Sequence, residues 1–403
     1  MIKKIAKNQN NKKYNKRKTI FVGLSGGVDS AVSAALLLEQ GYEVVGVFIR
    51  TWHPDFLECN EEEERRDAMR IAAHLDIPFL TFDFEDVYKK EVADYMIAEY
   101  KKGCTPNPDV MCNKEVKFGA FLNKALSIGA DFVATGHYAQ TSPQPSPGRR
   151  GSPFPFQGKA GNEVFNLCKG LDPSKDQSYF LWTLNQERLS KILFPVGNLK
   201  KTQVRKLAKK FKLSVAEKKD SQGICFLGDI NLKEFLKNYI KEKKGKVLNT
   251  EGVEIGYHDG AVFYTLGERH GFTITKKTMH DKRYYVVSKD LDKNILVVSH
   301  FLRLIEEGVG GGNREFFLDN INWINNIPEE NKVYTAQIRY HGEFLNCKIK
   351  CGRQPARNTT HSVAGGDLTH LTQVIFEKPI LVASGQSVVI YDNNIVLGGG
   401  VVV

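Results

Sequence analysis

Apolar and polar residues alternate along the first third of the chain in blocks that predict repeated strand–helix units. Four apolar runs predict strands: 19–24, 42–49, 78–84 and 132–135. The continuous run at 42–49 suits a strand that is buried on both faces of a sheet. Three segments with helical spacing accompany them: 31–38, 61–75 and 87–101. This alternation predicts an α/β fold with a doubly wound parallel sheet, in which ligands bind beyond the carboxyl ends of the strands.

The pattern changes in the second half of the chain. Helical spacing covers 178–211 and includes a basic helix at 200–212. Beyond about residue 231, short β-rich runs alternate with turns: 261–265, 284–288, 295–298, 335–339, 344–350, 371–376 and 387–391. Such runs predict a small β-rich central domain followed by a C-terminal β-barrel. Polar stretches at 141–161 and 352–366 are interpreted as insertions without an assigned role.

Charge and composition narrow the class of protein. The 403 residues carry a net charge of +11, and residues 1–18 contain eight lysines and arginines and no acidic residue. We expect this leader to be disordered and able to contact a polyanion. No apolar stretch approaches the roughly 20 residues that span a bilayer, and no secretory signal is recognisable. Seven cysteines in such a chain favour reduced thiols and a cytoplasmic location, away from membranes.

One glycine-rich segment joins the first predicted strand to the first predicted helix. Its members are Gly23, Leu24, Ser25, Gly26, Gly27, Val28, Asp29 and Ser30. A strand, a turn that lacks Cβ atoms and a helix N-terminus direct several backbone N–H groups to one point, which favours an anion. No Gly-Lys-Ser/Thr sequence closes the turn, so the Walker pattern is excluded. The segment resembles the pyrophosphate loop of the ATP pyrophosphatases, which implies that ATP is cleaved between its α and β phosphates.

Two cysteines stand in distinctive sequences. Cys112 lies in TPNPDVMCNK, where two prolines restrict the backbone that leads through Asp109 to the thiol. Cys225 lies in KKDSQGICF. Lysines near the two cysteines, such as Lys114 beside Cys112 and Lys218 before Cys225, favour the thiolate. A single cysteine is first interpreted as a small buried side chain. Two of them beside an ATP-cleaving loop favour a coupled thiol mechanism.

Together these motifs resemble the tRNA-specific 2-thiouridylases, which replace the C2 oxygen of the wobble uridine with sulfur. The resemblance covers nearly everything from residue 19 onward. It rests on six segments: 23–30, 106–118, 134–139, 175–181, 218–228 and 256–271. It implies an ATP pyrophosphatase domain at 19–231, a small β-rich central domain at 232–301 and a tRNA-binding C-terminal β-barrel at 302–403.

The same resemblance implies three groups of binding residues. Residues 23–30 would hold ATP together with Ile49 and Gly136. The flipped target base would meet Asn107, Pro108 and Asp109, and Asp109 is a candidate acid/base. The tRNA would be contacted by His137, Lys175, Asp176, Gln177, Arg339, Tyr340 and Gln386. The basic helix at 200–212 would add affinity for the tRNA backbone. Two alternatives stay open, because His137 also suits a core position and the lysines at 200–212 also suit a solvated helix face.

The resemblance further implies a reaction with ATP and Mg²⁺, in which the protein supplies no metal site of its own. The uridine oxygen would attack the α phosphate, release pyrophosphate and make AMP the leaving group. A sulfur-relay protein or a cysteine desulfurase would load a persulfide onto Cys225. Cys112 would then free sulfide and leave a transient Cys112–Cys225 disulfide, or the persulfide would attack C2 directly.

Two other classes of function compete with this interpretation. Another ATP pyrophosphatase, a ligase or synthetase that acts on a small molecule, explains the loop but gives Cys112 and Cys225 no role. A non-enzymatic RNA-binding protein with a degenerate nucleotide fold conflicts with the complete loop. A thiolating enzyme with an iron–sulfur cluster is disfavoured, because no three cysteines have cluster-like spacing.

Overall fold

The structure, a computed structural model, describes residues 17–57, 60–142, 164–219, 232–276, 282–300, 312–351 and 371–403. Cys225, the insertion at 352–366 and most of the leader and of the insertion at 141–161 lie outside these residues. Three sheets organise the described chain. Within the described ranges, no helix is both long and apolar enough to cross a membrane.

A parallel sheet forms the N-terminal part of the molecule. The first seven strands are β1 (Thr19–Gly23), β2 (Glu43–Arg50), β3 (Phe79–Asp83), β4 (Phe132–Ala134), β5 (Ala139–Ser142), β6 (Asn166–Lys169) and β7 (Ile192–Leu193). Five of them pair in the order β3-β2-β1-β4-β7, all parallel. The predicted doubly wound fold is confirmed. The strand order reverses between β1 and β4, so a crevice opens at the carboxyl ends of these two strands.

Helices surround this sheet. They are α1 (Val28–Glu39), α2 (Glu61–His74), α3 (Glu85–Tyr88), α4 (Tyr95–Lys101), α5 (Pro108–Met111), α6 (Leu122–Ser127), α7 (Gln186–Leu189), α8 (Lys201–Lys210) and α9 (Leu232–Lys237). Two π-helical segments, Lys89–Asp94 and Cys112–Phe121, join α3 to α4 and α5 to α6. The helical spacing predicted over 178–211 corresponds to a 3₁₀ turn at Ser178–Leu181 and to α7 and α8, but between these two helices lies a strand that was not predicted. The buried Ile192 and Leu193 extend the parallel sheet beside β4 instead, because an edge strand buries this apolar pair fully.

The central sheet contains β8 (Gly245–Leu248), β9 (Glu254–His258), β10 (Thr273–Ile274), β11 (Tyr285–Asp290) and β12 (Ile295–Ser299). Their order is β10-β9-β8-β12-β11. The strand predicted at 261–265 is absent: Ala261–Phe263 forms a turn of 3₁₀-helix. The backbone N–H of Ala261 donates to Asn294 Oδ1 at 2.9 Å, and this contact with a side chain takes the place of a ladder hydrogen bond.

The C-terminal sheet closes into a barrel. Its strands are β13 (Asn313–Trp323), β14 (Tyr334–Gln337), β15 (Leu345–Lys350), β16 (Thr372–Ile380), β17 (Ser387–Asp392) and β18 (Ile395–Val402). They pair in the order β13-β16-β15-β14-β17-β18, and β13 also pairs with β18. A register shift between Asp319 and Asn322 lets β13 bend onto the second partner. The predicted C-terminal β-barrel is confirmed.

The β5–β6 hairpin extends the barrel sheet, although it comes from the N-terminal part of the chain. In the antiparallel pairing of β6 with β18, Leu167 is opposite Val396 and Cys168 is opposite Ile395. One hydrophobic cluster contains buried residues from both parts, such as Phe118 with Tyr391. The barrel and the parallel sheet therefore share a core.

Candidate active site

The glycine-rich loop leaves β1 and enters α1 at the reversal of strand order. Leu24 N–H donates to the carbonyl of Val47 at 2.7 Å and fixes the start of the loop. Ser30 Oγ accepts from Ser25 N–H at 3.3 Å and donates to the carbonyl of Gly27 at 3.1 Å. Ser30, in the first turn of α1, thus holds the loop against the start of the helix. Because the first N–H groups of a helix lack partners inside it, this end of α1 suits a phosphate.

Close backbone packing explains two of the glycines. Gly26 has φ +70°, and a Cβ atom there would lie 2.6 Å from the carbonyl oxygen of Glu64 in α2. A Cβ atom on Gly136 would lie 2.7 Å from Ser30 N. The segment after β4 therefore packs directly on the loop. Ile49, half-buried near the carboxyl end of β2, lies on the strand next to β1. All predicted ATP residues lie at this crevice or on its flanking strand.

Asp29, at the second position of α1, is held by two side chains that sequence reasoning missed. Lys201 Nζ lies 2.8 Å from Asp29 Oδ1 and 2.7 Å from Oδ2. The hydroxyl of Tyr138 donates to Asp29 Oδ1 at 2.7 Å. Lys201 belongs to α8, in the stretch that was interpreted as a tRNA-facing or solvated basic helix. Nothing in the sequence spacing could have paired positions 172 residues apart.

The segment that contains Cys112 begins with a capped turn of helix. Asn107 caps α5, because its Oδ1 accepts from Val110 N–H at 3.2 Å, and Pro108 occupies the first turn. Asn113 Nδ2 donates to the carbonyl of Asp109 at 2.9 Å. Cys112 starts a π-helix and is buried at 3% exposure. Local π-helical geometry is frequent at functional sites.

This π-helix reaches the ATP crevice. Its last residue, Phe121, lies 3.7 Å from the position of a Cβ atom on Gly23, at the end of β1. Phe118, one turn earlier, packs against the ring of His137 with centroids 5.7 Å apart. One helix thus carries Cys112 and contacts the strand from which the glycine-rich loop departs.

All three parts of the molecule meet just before Asn107. Thr105 N–H donates to the carbonyl of Ser384 in the barrel at 2.7 Å. The hydroxyl of Thr105 hydrogen bonds to that of Thr265, in the central part, at 3.1 Å. A Cβ atom on Gly385 would lie 2.9 Å from Cys104 Cβ. The predicted base-binding segment is therefore anchored from both sides.

Comparisons with known proteins match this architecture from end to end. Three family models match in order: the tRNA methyl transferase HUP domain over 18–229, the tRNA methyl transferase PRC-barrel domain over 233–300 and the Aminomethyltransferase beta-barrel domain over 357–402. A tRNA-specific 2-thiouridylase MnmA of Streptococcus thermophilus (strain ATCC BAA-491 / LMD-9) is 40% identical over 396 residues, 96% of each chain. Its counterpart in Streptococcus mutans is 40% identical over 393 residues, also 96% of each chain.

This chain belongs to the tRNA-specific 2-thiouridylase family. The resemblance predicted from the sequence is confirmed, and the relatives are named for thiolation and not for the synthesis of a small molecule. The family models are named after methyl transfer, but the Streptococcus relatives that match 96% of the chain are named tRNA-specific 2-thiouridylases.

Within this thiouridylase fold, Tyr179 connects the predicted base-binding segment to the barrel. Its hydroxyl lies 3.0 Å from the carbonyl oxygen of Ser387, to which it donates, and 3.3 Å from that of Ile338. It also forms a hydrogen bond with the side chain of Asn107. Burial raises the pKa of the Tyr179 phenol, so it stays a neutral donor. No local sequence pattern indicates this contact.

Two of the predicted tRNA residues lie beside this connection. Tyr340 packs its ring on Phe180 with centroids 4.4 Å apart. Burial first, and then the charges of Asp176 and Asp109, raise the pKa of Tyr340 to about 12, so its hydroxyl lies within electrostatic reach of the candidate acid/base. Arg339 Nη2 donates to the carbonyl of Leu266 at 2.7 Å and links the barrel to the central sheet.

The predicted tRNA stretch at 175–177 is tied to the crevice by its own side chains. Gln177 Oε1 accepts from Tyr138 N–H at 3.0 Å, and Gln177 N–H donates to the carbonyl of Tyr138 at 2.9 Å. Asp176 accepts from the backbone N–H groups of Gly170 and Ser178, and burial raises its pKa. Lys175 N–H donates to the carbonyl of Asp172 at 3.0 Å. Hydrogen bonds therefore hold this stretch in place, and its contact with tRNA stays a prediction.

The remaining predicted tRNA residues differ in exposure. His137 is 7% exposed and hydrogen bonds through Nδ1 to the hydroxyl of Thr135 at 2.8 Å, which favours the alternative of a core histidine. Burial, and then the charge of Lys117, lowers the pKa of His137 well below its ordinary value. Gln386 uses its side-chain oxygen to accept from Ala383 N–H at 2.9 Å, within the barrel loop that meets Thr105.

Cys225, and with it the predicted Cys112–Cys225 disulfide, lies outside the described residues. The described chain leading toward it is anchored beside the ATP loop. Lys218 Nζ lies 2.8 Å from Asp67 Oδ2 in α2, and this contact lowers the pKa of Asp67. The Cβ atom of Asp67 would lie 3.2 Å from a Cβ atom on Gly26.

Proposed function

We propose that this chain uses ATP to thiolate C2 of the wobble uridine of tRNA. One observation carries the proposal: the helix that bears Cys112 packs on the strand that leads into the glycine-rich loop, through Phe121 and Gly23. The glycine-rich loop and the helix that carries the candidate thiol nucleophile thus pack against the same strand, which supports a reaction that uses both. A small-molecule synthetase would need the loop but would leave the thiol without a role.

The loop would bind the pyrophosphate part of ATP. Its backbone N–H groups and the N-terminus of α1 offer donors for phosphate oxygens, while Gly136 allows close approach on the other side. Mg²⁺, which accompanies ATP, would supply a Lewis acid that offsets charge on the phosphates. The uridine O2 would attack the α phosphorus, the bond to the β phosphate oxygen would break, and pyrophosphate would leave.

The target base would enter at the three-way junction. Asn107 to Asp109 lie there in a capped turn, with Tyr179 and Tyr340 on the barrel side. An anticodon base leaves its stack at modest cost and is then recognised by polar edges and aromatic faces. Asp109 would accept the N3 proton of the base when O2 bonds to phosphorus. It would return that proton to N3 when AMP leaves.

The sulfur step would use both cysteines. A partner protein, a persulfide relay donor or a cysteine desulfurase, would place a terminal sulfur on Cys225. The Cys112 thiolate would attack the Cys225 sulfur, form the S–S bond and expel hydrosulfide, which attacks C2 and releases AMP with the former uridine oxygen. In the other route, the terminal persulfide sulfur attacks C2 itself and AMP leaves; the Cys112 thiolate then attacks the Cys225 sulfur, forms the disulfide and releases the thiolated base. A thiol reductant would then return both cysteines to thiols. The proposed reaction would take place in the cytoplasm, where tRNA and ATP meet.

The first test is single-turnover thiolation of an anticodon stem-loop RNA with ATP, Mg²⁺ and a persulfide donor. We expect wild type to release pyrophosphate only with RNA and to form 2-thiouridine. Cys112→Ala and Cys225→Ala should still release pyrophosphate, because activation precedes sulfur transfer. Their formation of 2-thiouridine should fall by roughly a thousandfold or more.

Cys351→Ala is the matched control, because it removes a half-buried thiol of the barrel and should thiolate like wild type. Free hydrosulfide in place of the donor separates the two sulfur routes: it should rescue Cys225→Ala if sulfide is the attacking species. Pyrophosphate release that needs a small amine or acid, ignores RNA and leaves both cysteines dispensable would establish the small-molecule alternative.

A further inference from the structure

The charge at the start of α1 is unusual for a phosphate site. Asp29 lies at the second position of this helix, in the first turn that follows the loop. A negative side chain there attracts the helix dipole but repels a phosphate that binds to the same end. The site therefore needs a cation at Asp29 if it is to accept ATP.

Lys201 supplies that cation in a fixed geometry. Its ammonium group contacts both carboxylate oxygens at 2.8 and 2.7 Å, and the side chains of Lys201 and Asp29 are 14% and 29% exposed. The backbone N–H of Lys201 also donates to Asp172 Oδ2 at 2.9 Å, which fixes the first turn of α8. The lysine is thus held at both its backbone and its tip.

Other lysines of α8 do not share this arrangement. Lys209 pairs with Glu217 and Lys210 with Glu39, and these side chains are 54–81% exposed, where ion pairs contribute little. Tyr138, in the segment between β4 and β5, donates a hydrogen bond from its hydroxyl to Asp29. Gln177 in turn holds the Tyr138 backbone by two hydrogen bonds. The Asp29–Lys201 contact is therefore a built feature of the crevice and not part of the solvated helix face.

We propose that Lys201 is a positioning residue of the ATP site, which neutralises Asp29 and holds the first turn of α1 in its anion-binding orientation. Lys201 acts through Asp29, so its charge matters because of the carboxylate. The inference rests on the proposed ATP role of the loop and adds a residue to it. It gives α8 a function in nucleotide binding in place of the predicted contact with tRNA.

A charge-balance experiment tests this inference. The affinity for ATP and for inorganic pyrophosphate is measured by calorimetry in the full chain. Lys201→Met should weaken both by about tenfold or more, since it leaves the carboxylate unneutralised. Lys201→Arg should stay within about threefold of wild type. The double variant Asp29→Asn/Lys201→Met should bind ATP several-fold more tightly than Lys201→Met, because both charges are then removed.

Lys209→Met is the matched control on the same helix and should bind ATP like wild type. Thermal unfolding of every variant reports on the fold, and the recovery in the double variant distinguishes charge balance from loss of structure. Wild-type affinity in Lys201→Met, or no recovery in the double variant, would overturn the inference. Failure of wild type itself to bind ATP would instead overturn the proposed role of the loop.

Discussion

His137 shows how burial decides the chemistry of a single residue. Its ring lies between Phe118 and Phe194, with centroids 5.7 and 6.2 Å away, and its Nδ1 is paired with Thr135. Desolvation disfavours the charged imidazolium, so the pKa of the folded state lies well below the ordinary value. A neutral, enclosed imidazole contributes core packing to the helix that carries Cys112.

The pH dependence of stability follows from that lowered pKa. As pH falls below about 6.5, the unfolded chain binds a proton at His137 before the folded chain does, so wild type loses stability. His137→Phe keeps the ring packing and removes this proton. We expect the free energy of unfolding of wild type, relative to the variant, to fall by about 2 kcal/mol between pH 7 and pH 5.

Urea unfolding of both proteins at several pH values measures this difference, and an NMR titration of the His137 ring checks its cause. A ring that titrates near pH 6.5 in the folded protein would contradict the expectation. It would return His137 to the group of exposed residues that face nucleic acid.

At the residue scale, sites formed by neighbouring residues could be predicted from the sequence, whereas contacts between residues far apart in the chain could not. The loop at 23–30 was predicted between a strand and a helix and lies there, because its residues are neighbours in sequence. The prolines around Asn107 predicted a restricted backbone, and the structure adds the helix cap that Asn107 forms. Lys201 and Tyr179 act across 172 and 208 positions, on Asp29 and on the Ser387 carbonyl. No local pattern specifies such partners. The role of Cys225 stays a prediction.

Among the elements, the π-helix at Cys112–Phe121 depends on one glycine. A Cβ atom on Gly119 would lie 2.9 Å from the carbonyl oxygen of Lys114, five positions earlier, and that oxygen also accepts from Arg188 Nη1 at 3.1 Å. A backbone oxygen cannot move aside as a side chain can. The wider turn therefore requires a residue without a Cβ atom at this point.

Gly119→Ala should consequently have the opposite effect from the usual one. In an ordinary helix the change stabilises by about 1 kcal/mol. Here we expect a loss of about 1–3 kcal/mol in the free energy of unfolding, because the new methyl group displaces the Lys114 carbonyl. Urea denaturation followed by far-UV circular dichroism measures it. A gain in stability would mean that the helix can revert to regular α geometry without cost.

Elements with strong periodicity were predicted well, whereas short ones were not. The apolar runs that became β1, β2 and β4 contain consecutive buried positions, so they are easy to recognise. In β3, at the edge of the sheet, Phe82 is the buried position among five residues. The two-residue strand β7 and the turn at Ala261–Phe263 have too few residues for a period to appear. Tertiary contacts determine their conformation: β7 pairs with the edge of β4, and the turn at Ala261 is held by the Asn294 side chain.

At the scale of the whole molecule, barrel side chains complete the interior of the ATP-binding part. Asn322 of β13 donates through Nδ2 to the carbonyls of Trp182 and Leu184 at 2.7 and 2.9 Å. The side chain of Tyr391 from β17 lies in the same hydrophobic cluster as Trp182. Neither part can separate without exposing apolar surface and leaving backbone carbonyls unpaired.

We therefore expect one cooperative unfolding transition, with Trp fluorescence and circular dichroism coincident. Asn322→Ala should lower the free energy of unfolding by about 1–3 kcal/mol without dividing the transition, because two part-buried carbonyls lose their donor. Asn346→Ala is the control, since its amide contacts only the exposed carboxylate of Glu377 among the described bonds of that side chain. Two resolved transitions would show that the barrel unfolds by itself.

The pairing of β6 with β18 also determines when during synthesis the protein can complete its folding. Cys168 and its partner Ile395 are separated by 395 − 168 = 227 positions. At a ribosomal rate of about 5–20 residues per second, β6 emerges about 10–45 s before the strand that covers it. During that interval the nascent chain presents an unpaired strand edge, the type of surface that seeds aggregation. The nucleotide crevice would thus gain its finished interior only after the barrel has been synthesised.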